Sequence, residues 1–323
     1  MRALITGITG QDGRFLAGEL RKFGYEIFGT SRNGQAAITP EQKVDLKEAR
    51  VHALDLQDFQ AVCDLLKAIR PDLIFNLAGM SSVSDSFGKT PEYMNANLVT
   101  VENILKSILK LKFHEKTRFY QASSSEMFGG VRESPQNEVS KFDPISPYGV
   151  SKLAAHKLCE HYRDFEGLFI SSGILYNHES EKRNPHFVSR KISKTVAEIR
   201  FGISDELVLG NLNSSRDWGY AGDYVKAMHL MLQANEPADF IISTGESHTV
   251  LDFVRQAFKA ANMEGYEDKY LRSSEAFSRK HDHTNLVGDS SKANSRLGWV
   301  PEVFFHDLVA RMVSFDLHQT KNS

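Results

Sequence analysis

The segment Thr6-Gly7-Ile8-Thr9-Gly10-Gln11-Asp12-Gly13 constrains the fold of this chain more than any other. It follows the short apolar run Ala3-Leu4-Ile5 and opens a stretch in which Phe15, Leu16, Leu20 and Phe23 share one helix face. Three glycines spaced by three between a strand and a helix serve a tight turn, close backbone approach to a pyrophosphate, and close helix-strand contact. The helix N-terminus adds unpaired N–H groups for phosphates. Glycine spacing alone also makes ordinary turns; the strand-turn-helix context is what points to a nucleotide.

The same alternation continues. Ala3 to Thr6, Glu26 to Thr30, Leu73 to Leu77, Phe119 to Ala122 and Leu168 to Ser172 read as strands, with Asn97 to Leu111 among the helical stretches between them. Repeated βα units predict an α/β fold, a Rossmann-like doubly wound parallel sheet. After about residue 173 the order breaks, and His178 to Asn184 carries neither a strand nor a helix signal. Further pieces follow: Leu207 to Leu209, a helix over Tyr224 to Gln233, a strand over Phe240 to Thr244, and Thr249 with Asp252 as a capping box. The expected division is a cofactor domain over 1–174 with 213–244 returning to it, and a smaller C-terminal α/β substrate domain over 175–212 and 245–323.

Composition narrows the class. A chain of 323 residues exceeds one ordinary core, which favours two parts. Its 39 basic and 41 acidic residues leave a net charge of -2, too little field to recruit nucleic acid or an anionic membrane. Cys63 and Cys159 form neither a metal-binding spacing nor a disulfide framework, so no metal is expected and a reducing compartment suits the chain. The first apolar run is too brief for a signal peptide, and no stretch reaches membrane-span length. A soluble cytoplasmic protein is the expectation.

Cofactor specificity is read at the end of the second strand, where Thr30-Ser31-Arg32-Asn33 replaces the acid that an NAD site presents to the ribose; Arg32 suits a 2′-phosphate, hence NADP. Asp55-Leu56 and Leu77-Ala78-Gly79 end later strands on the same edge. Ser146-Pro147 begins a helix, placing Tyr148 and Lys152 four apart on one face. On this reading Val150, Leu153 and Ala154 form the opposite, apolar arc, and the Lys152 ammonium lowers the Tyr148 pKa toward phenolate. Ser123-Ser124-Ser125-Glu126 follows the fifth strand and brings a hydroxyl and a carboxylate to the ligand-binding edge.

Together with Asn177-His178-Glu179-Ser180, Phe187 to Lys191, and Arg216-Asp217-Trp218-Gly219, these segments resemble the extended short-chain dehydrogenase/reductases and, within them, the GDP-mannose 4,6-dehydratase family. The resemblance implies that Tyr148, tuned by Lys152 and assisted by Ser124, oxidises the sugar at C4, and that Glu126 takes the C5 proton before water leaves C6. It implies a cofactor set of Gly7, Thr9, Gly10, Gln11, Asp12, Gly13, Arg32, Asp55, Leu56, Leu77, Ala78, Gly79, Tyr148 and Lys152. A GDP-sugar is the implied substrate, met by Ser81, Asn177, Lys191, Arg216 and Arg279. Ser124 stands where the family usually has threonine, and Arg279-Lys280-His281-Asp282 where it has Arg-Pro-x-Glu. GDP-manno-heptose would suit the same machinery. A nucleotide-sugar 4-reductase or epimerase and a non-catalytic NADP sensor are the rivals, and a homodimer or homotetramer is expected from the family.

Overall fold

The computed structural model describes residues 1–274 and 286–322. Strands β1 (Arg2–Thr6), β2 (Glu26–Ser31), β3 (Arg50–Ala53), β4 (Leu73–Asn76), β5 (Arg118–Ser124) and β6 (Phe169–Leu175) form one sheet. With a later strand, β10 (Asp239–Ile242), the sheet order is β10-β6-β5-β4-β1-β2-β3, every pair parallel. The chain reverses direction across the sheet between β1 and β4, the topological switch point where such sheets bind ligands. Helices α1 (Gln11–Lys22), α2 (Phe59–Ile69), α3 (Thr100–Lys110) and α4 (Pro147–Glu166) cover the two faces. Burial on both sides explains strands as uniformly apolar as Leu73-Ile74-Phe75.

A buried polar rung pins the strand ends that carry the site. Thr6 Oγ1 donates to Asn76 Oδ1 at 2.7 Å, and Asn76 Nδ2 donates to Gln121 Oε1 at 2.9 Å, so adjacent strands β1, β4 and β5 are locked in register. Thr6 Oγ1 also accepts from the N–H groups of Leu77 and Ala78, each at 3.1 Å, which fixes the turn after β4.

The second half divides differently from the expectation. His178 and Glu179, the start of the segment without a strand or helix signal, join Asn177 in strand β7 (Asn177–Glu179); it pairs in parallel with β9 (Ser215–Tyr220), and β9 pairs with β11 (Ser247–Thr249). A three-residue strand made of Asn, His and Glu has no apolar alternation to betray it. Strand β8 (Leu207–Leu209) pairs with β12 (Leu271–Ser273). Helices α5 (Val188–Arg200), α7 (Val250–Ala260) and α9 (Phe305–Lys321) enclose a separate core with Trp218 at its centre. Trp218 therefore draws β9 into the smaller layer, whereas α6 (Ala221–Gln233) and β10 return to the large one. Helix α8 (Ser291–Leu297) also joins the large layer, because Ala293 and Trp299 are buried in its core and Trp299 Nε1 donates to the Asp223 carbonyl at 2.9 Å. The capping box of Thr249 and Asp252 is present.

Gly13 is the tightest contact between helix and loop: a Cβ there would lie 2.6 Å from the Cα and carbonyl oxygen of Ile8, and backbone cannot yield as a side chain can. Gly13→Ala should therefore destabilise the protein by about 1–3 kcal/mol despite the better helix propensity of alanine. A lower urea midpoint at unchanged slope is the expected reading.

Candidate active site

The glycine loop and the end of β4 face each other across the switch point. Gly7 has a φ of 67°, and a Cβ on it would come 3.0 Å from the backbone of Ala78. Gly10 is the N-cap of α1 and offers no side chain to the first turn, whose N–H groups are left for a ligand. At the same sheet edge Arg32 follows β2 and is exposed, without an ion-pair partner among the described residues. Asp55, exposed, and Leu56, buried, follow β3. Thr9 is half-buried, and its carbonyl accepts from Gln42 Nε2 at 3.1 Å. A side-chain-free cradle, an uncapped helix start and a cation in place of an acid are the donor set that a 2′-phosphorylated dinucleotide needs.

Gln11 and Asp12 reach across to the substrate half. Gln11 Nε2 donates to the His178 carbonyl at 3.0 Å, and its Oε1 accepts from Ser180 Oγ at 2.8 Å. His178 Nε2 lies 2.9 Å from Asp12 Oδ2, while its Nδ1 lies 2.8 Å from the Tyr176 carbonyl and its ring stacks on Tyr224. Two acceptors, one on each ring nitrogen, are what an imidazolium satisfies. Burial opposes both charges; even so, mutual attraction and hydrogen bonding hold Asp12 below the usual carboxylate range and lift His178 above the usual imidazole value. The Gln-Asp of the glycine loop and the Asn-His-Glu-Ser segment are thus bonded to each other.

The catalytic cluster lies where α4 meets the end of β5. Ser124 ends β5 and hydrogen-bonds Tyr148. Its Oγ also accepts from the Glu126 N–H at 3.2 Å, starting the short 3₁₀ turn Ser125–Phe128 that presents the half-buried Glu126. Helix α4 approaches closely because Gly149 stands opposite this turn; a Cβ there would be 2.6 Å from the Glu126 carbonyl oxygen. Lys152 Nζ donates to the Ala122 carbonyl at 2.9 Å.

Two expectations about this helix are corrected. Tyr148 and Lys152 belong to the buried face of α4, with Ser151, Ala155, His156 and Cys159, whereas Val150 is 43% exposed. The face toward the sheet is polar because it lines the site, so apolar periodicity pointed to the wrong arc. The net shift of Tyr148 is also upward rather than toward phenolate. Burial chiefly, and the Glu126 charge, push the phenol up to about 12, against the Ser124 hydrogen bond and the Arg183 charge that pull it down. Burial lowers Lys152 itself to about 8.

Of the residues expected at the substrate, Asn177 and Arg216 lie on β7 and β9 of the small sheet, and Lys191 lies on α5. Burial lowers the Lys191 pKa. Leu77, Ala78, Gly79 and the exposed Ser81 continue from β4 on the cofactor edge. Arg279 lies outside the described residues.

Two residues at the site were not singled out by the sequence reading. Asn97 sits in a π-helical turn, Asn95–Val99, where its Nδ2 donates to the Met80 carbonyl at 3.0 Å and to Ser151 Oγ at 2.9 Å, and its Oδ1 accepts from the Met80 N–H at 2.9 Å. It ties the loop after β4 to the helix turn between Tyr148 and Lys152. Such π turns cluster at functional sites, yet no spacing rule marks them in sequence. Arg183 pairs with Glu179 at 3.1 Å, lies over the Phe187 ring at 3.7 Å, and acts electrostatically on Tyr148, Asp12 and His178. It was hidden in a run that read as a charged loop.

Comparison with known proteins places this geometry in a family. The GDP-mannose 4,6 dehydratase family matches residues 4–312. A GDP-mannose 4,6-dehydratase of Yersinia enterocolitica is 39% identical, the match covering 99% of this chain and 95% of that protein. GDP-mannose 4,6 dehydratase 2 of Arabidopsis thaliana is 41% identical over 99% of this chain and 87% of its own length. Among solved structures, the UDP-glucose 4-epimerase of Thermotoga maritima with UDP-glucose superposes with a TM-score of 0.86 at 21% identity, covering all of both chains, a likeness of fold.

The Asp12–His178 pair has a defined pH signature. Asp12, depressed below 3.8, stabilises the fold above that value and loses its contribution as pH falls through the folded pKa; His178, raised above 6.5, contributes fully below 6.5 and loses it as pH rises through the folded pKa. The coupling between Asp12→Asn and His178→Gln in a double-mutant cycle of denaturant stability should be largest between those two values and fade toward pH 9. Equal coupling at pH 5.5 and pH 9 would show that the pair is not ionic.

Proposed function

The chain belongs to the GDP-mannose 4,6-dehydratase family, and on that premise we propose that it converts GDP-mannose to GDP-4-keto-6-deoxymannose with Tyr148, Lys152, Ser124 and Glu126 as its working residues. The observation that carries the reading is the convergence of a phenol, its hydroxyl partner and a carboxylate at one place on the sheet edge: Glu126 is close enough to raise the Tyr148 pKa, and Ser124 bonds both the phenol and the Glu126 backbone.

Tyr148 takes the proton of the sugar 4-hydroxyl, and Ser124 bonds the same oxygen as it becomes a carbonyl. When bound, NADP supplies the acceptor for the hydride leaving C4, a positive charge while oxidised, and the donor that returns the hydride to C6. The 4-ketone acidifies the C5 hydrogen. Glu126 removes that proton and passes it to the C6 hydroxyl, which departs as water; the proton taken by Tyr148 is released to solvent, and solvent supplies the one that returns to C5. Lys152 orients the end of β5 through Ala122 and keeps a cation near the phenol. Gly7, Thr9, Gly10, Gln11, Asp12, Gly13, Arg32, Asp55, Leu56 and Leu77 to Gly79 form the cofactor wall. Ser81, Asn177, Lys191, Arg216 and Arg279 are assigned to the substrate, with the cationic ones suited to its phosphates.

An epimerase or 4-reductase needs no carboxylate for C5, and the relatives are named dehydratases, which favours dehydration over those rivals and over a sensor. The same reading takes the protein as a cytoplasmic homo-oligomer; no helix among the described residues is long and apolar enough to cross a membrane.

Glu126→Gln separates the steps. Product formation should fall at least about a hundredfold because the C5 base is lost, while C4 oxidation persists as a burst of reduced cofactor absorbance. Wild-type turnover in D2O should leave one solvent deuterium at C5 of the product by mass spectrometry. Normal dehydration by the variant would remove Glu126 from the mechanism.

A further inference from the structure

The end of β5 is supported unequally. Residues Arg118 to Gln121 pair with β4 on one side and β6 on the other, but Ala122, Ser123 and Ser124 continue beside β6 alone. Their missing neighbour is replaced by side chains of α4 spaced four apart. Tyr148 bonds Ser124, Lys152 bonds the Ala122 carbonyl, and His156 Nδ1 lies 2.9 Å from Ser123 Oγ. The first two grips belong to the mechanism above. The third has no part in it, although His156 and Ser123 are only 1% and 3% exposed.

His156 is itself held from behind. Its Nε2 lies 3.4 Å from Glu160 Oε1 and 4.0 Å from Asp239 Oδ2, and its ring meets Phe142 edge-on at 5.3 Å. A carboxylate can only accept, so Nε2 carries a proton, and in the neutral ring Nδ1 accepts from the Ser123 hydroxyl. The acids are in turn neutralised: Lys157 pairs with Glu160 at 2.6 Å, and Arg163 makes two bonds of 2.8 Å to Asp239. The His156 hydrogen bond is the first cause holding Glu160 at about 2. The trio His156, Glu160 and Asp239 has the reach of a metal site, but these cations already supply the positive charge.

We infer that His156 is a positioning residue: by fixing Ser123 from the rear of α4, it holds the unpaired end of β5 so that Ser124 meets Tyr148 and Glu126 leaves the strand at the right place. The inference rests on the reading of Tyr148 and Ser124 as the acid-base pair. It adds that their geometry is set two helical turns away, by a group that touches no substrate.

Ser123→Ala and His156→Phe test it, the latter keeping ring volume against Phe142. Each should lower kcat by about tenfold, with KM for GDP-mannose and bound NADP nearly unchanged, and the buried partner left unpaired should lower the melting temperature only by a few degrees. Loss of the Ser124 bond raises the Tyr148 pKa, so the acid limb of the kcat profile should move to higher pH, while the charged groups facing the phenol, Lys152, Glu126 and Arg183, and the neutral phenol of Tyr93 stay in place. His156→Asn, which keeps a polar group near Nδ1, should recover most of the rate, and the Ser123→Ala/His156→Phe double variant should be no slower than the slower single one. Tyr148→Phe is run alongside: activity there would overturn the underlying acid-base reading and this inference with it. With Tyr148→Phe inactive, full kcat in both Ser123→Ala and His156→Phe, or a loss that leaves the pH limb unmoved, overturns the positioning role alone.

Discussion

The structure depends on the grip between α4 and the last residues of β5. The hydroxyl and the carboxylate of the catalytic cluster are delivered by residues 122 to 126, and these have outrun β4. Helix α4 closes on them through Gly149 and through polar side chains on one face. Apolar packing could hold the helix, but it could not aim a hydroxyl. The hydrogen bonds that Tyr148, Lys152 and His156 make with this segment do that, and because they are buried, each lost partner leaves a polar group without water to replace it.

Burial also sets the electrostatic character of the site. A phenol pushed up to about 12 is a neutral hydrogen-bonding group at physiological pH, and a lysine lowered to about 8 is only modestly favoured as a cation. The protein side chains therefore do not make a standing phenolate. If Tyr148 is the base proposed above, positive charge brought by the oxidised cofactor is needed to favour its phenolate, so that it sheds its own proton before taking the sugar's, which ties base strength to occupancy of the site. The Asp12–His178 pair joins the glycine loop, the proposed cofactor wall, to the strand that carries Asn177.

How far the sequence could be read follows from which forces leave a pattern in it. Five of the six N-terminal strands are legible because burial writes apolar runs, and the glycine loop because three steric demands fall at fixed spacing; β3, Arg-Val-His-Ala with Val51 alone buried, writes no such run. Tyr148, Lys152, Ser124 and Glu126 are legible as types in order along the chain. The arc on which Tyr148 lies is not, because a polar site-lining face defeats the rule that buried faces are apolar. Strand β7 is held by β9, nearly forty residues later, and its Asn-His-Glu has no strand signal of its own. Trp218 decides the allegiance of β9 through Phe253 and Phe305, contacts that only the folded chain reveals. Likewise Asn97, Arg183 and His156 act through partners remote in sequence, and nothing in their local spacing marks them.

The central claim is that a single site oxidises C4 and reduces C6 of the same sugar molecule. Turnover of a mixture of GDP-mannose carrying deuterium at C4 and unlabelled GDP-mannose carrying carbon-13 elsewhere in the ring, followed by mass spectrometry and NMR of the product, tests it directly. The account predicts deuterium at C6 of the molecules that began with it and none in the carbon-13 product. Deuterium lost to water, or shared between the two populations, would contradict it.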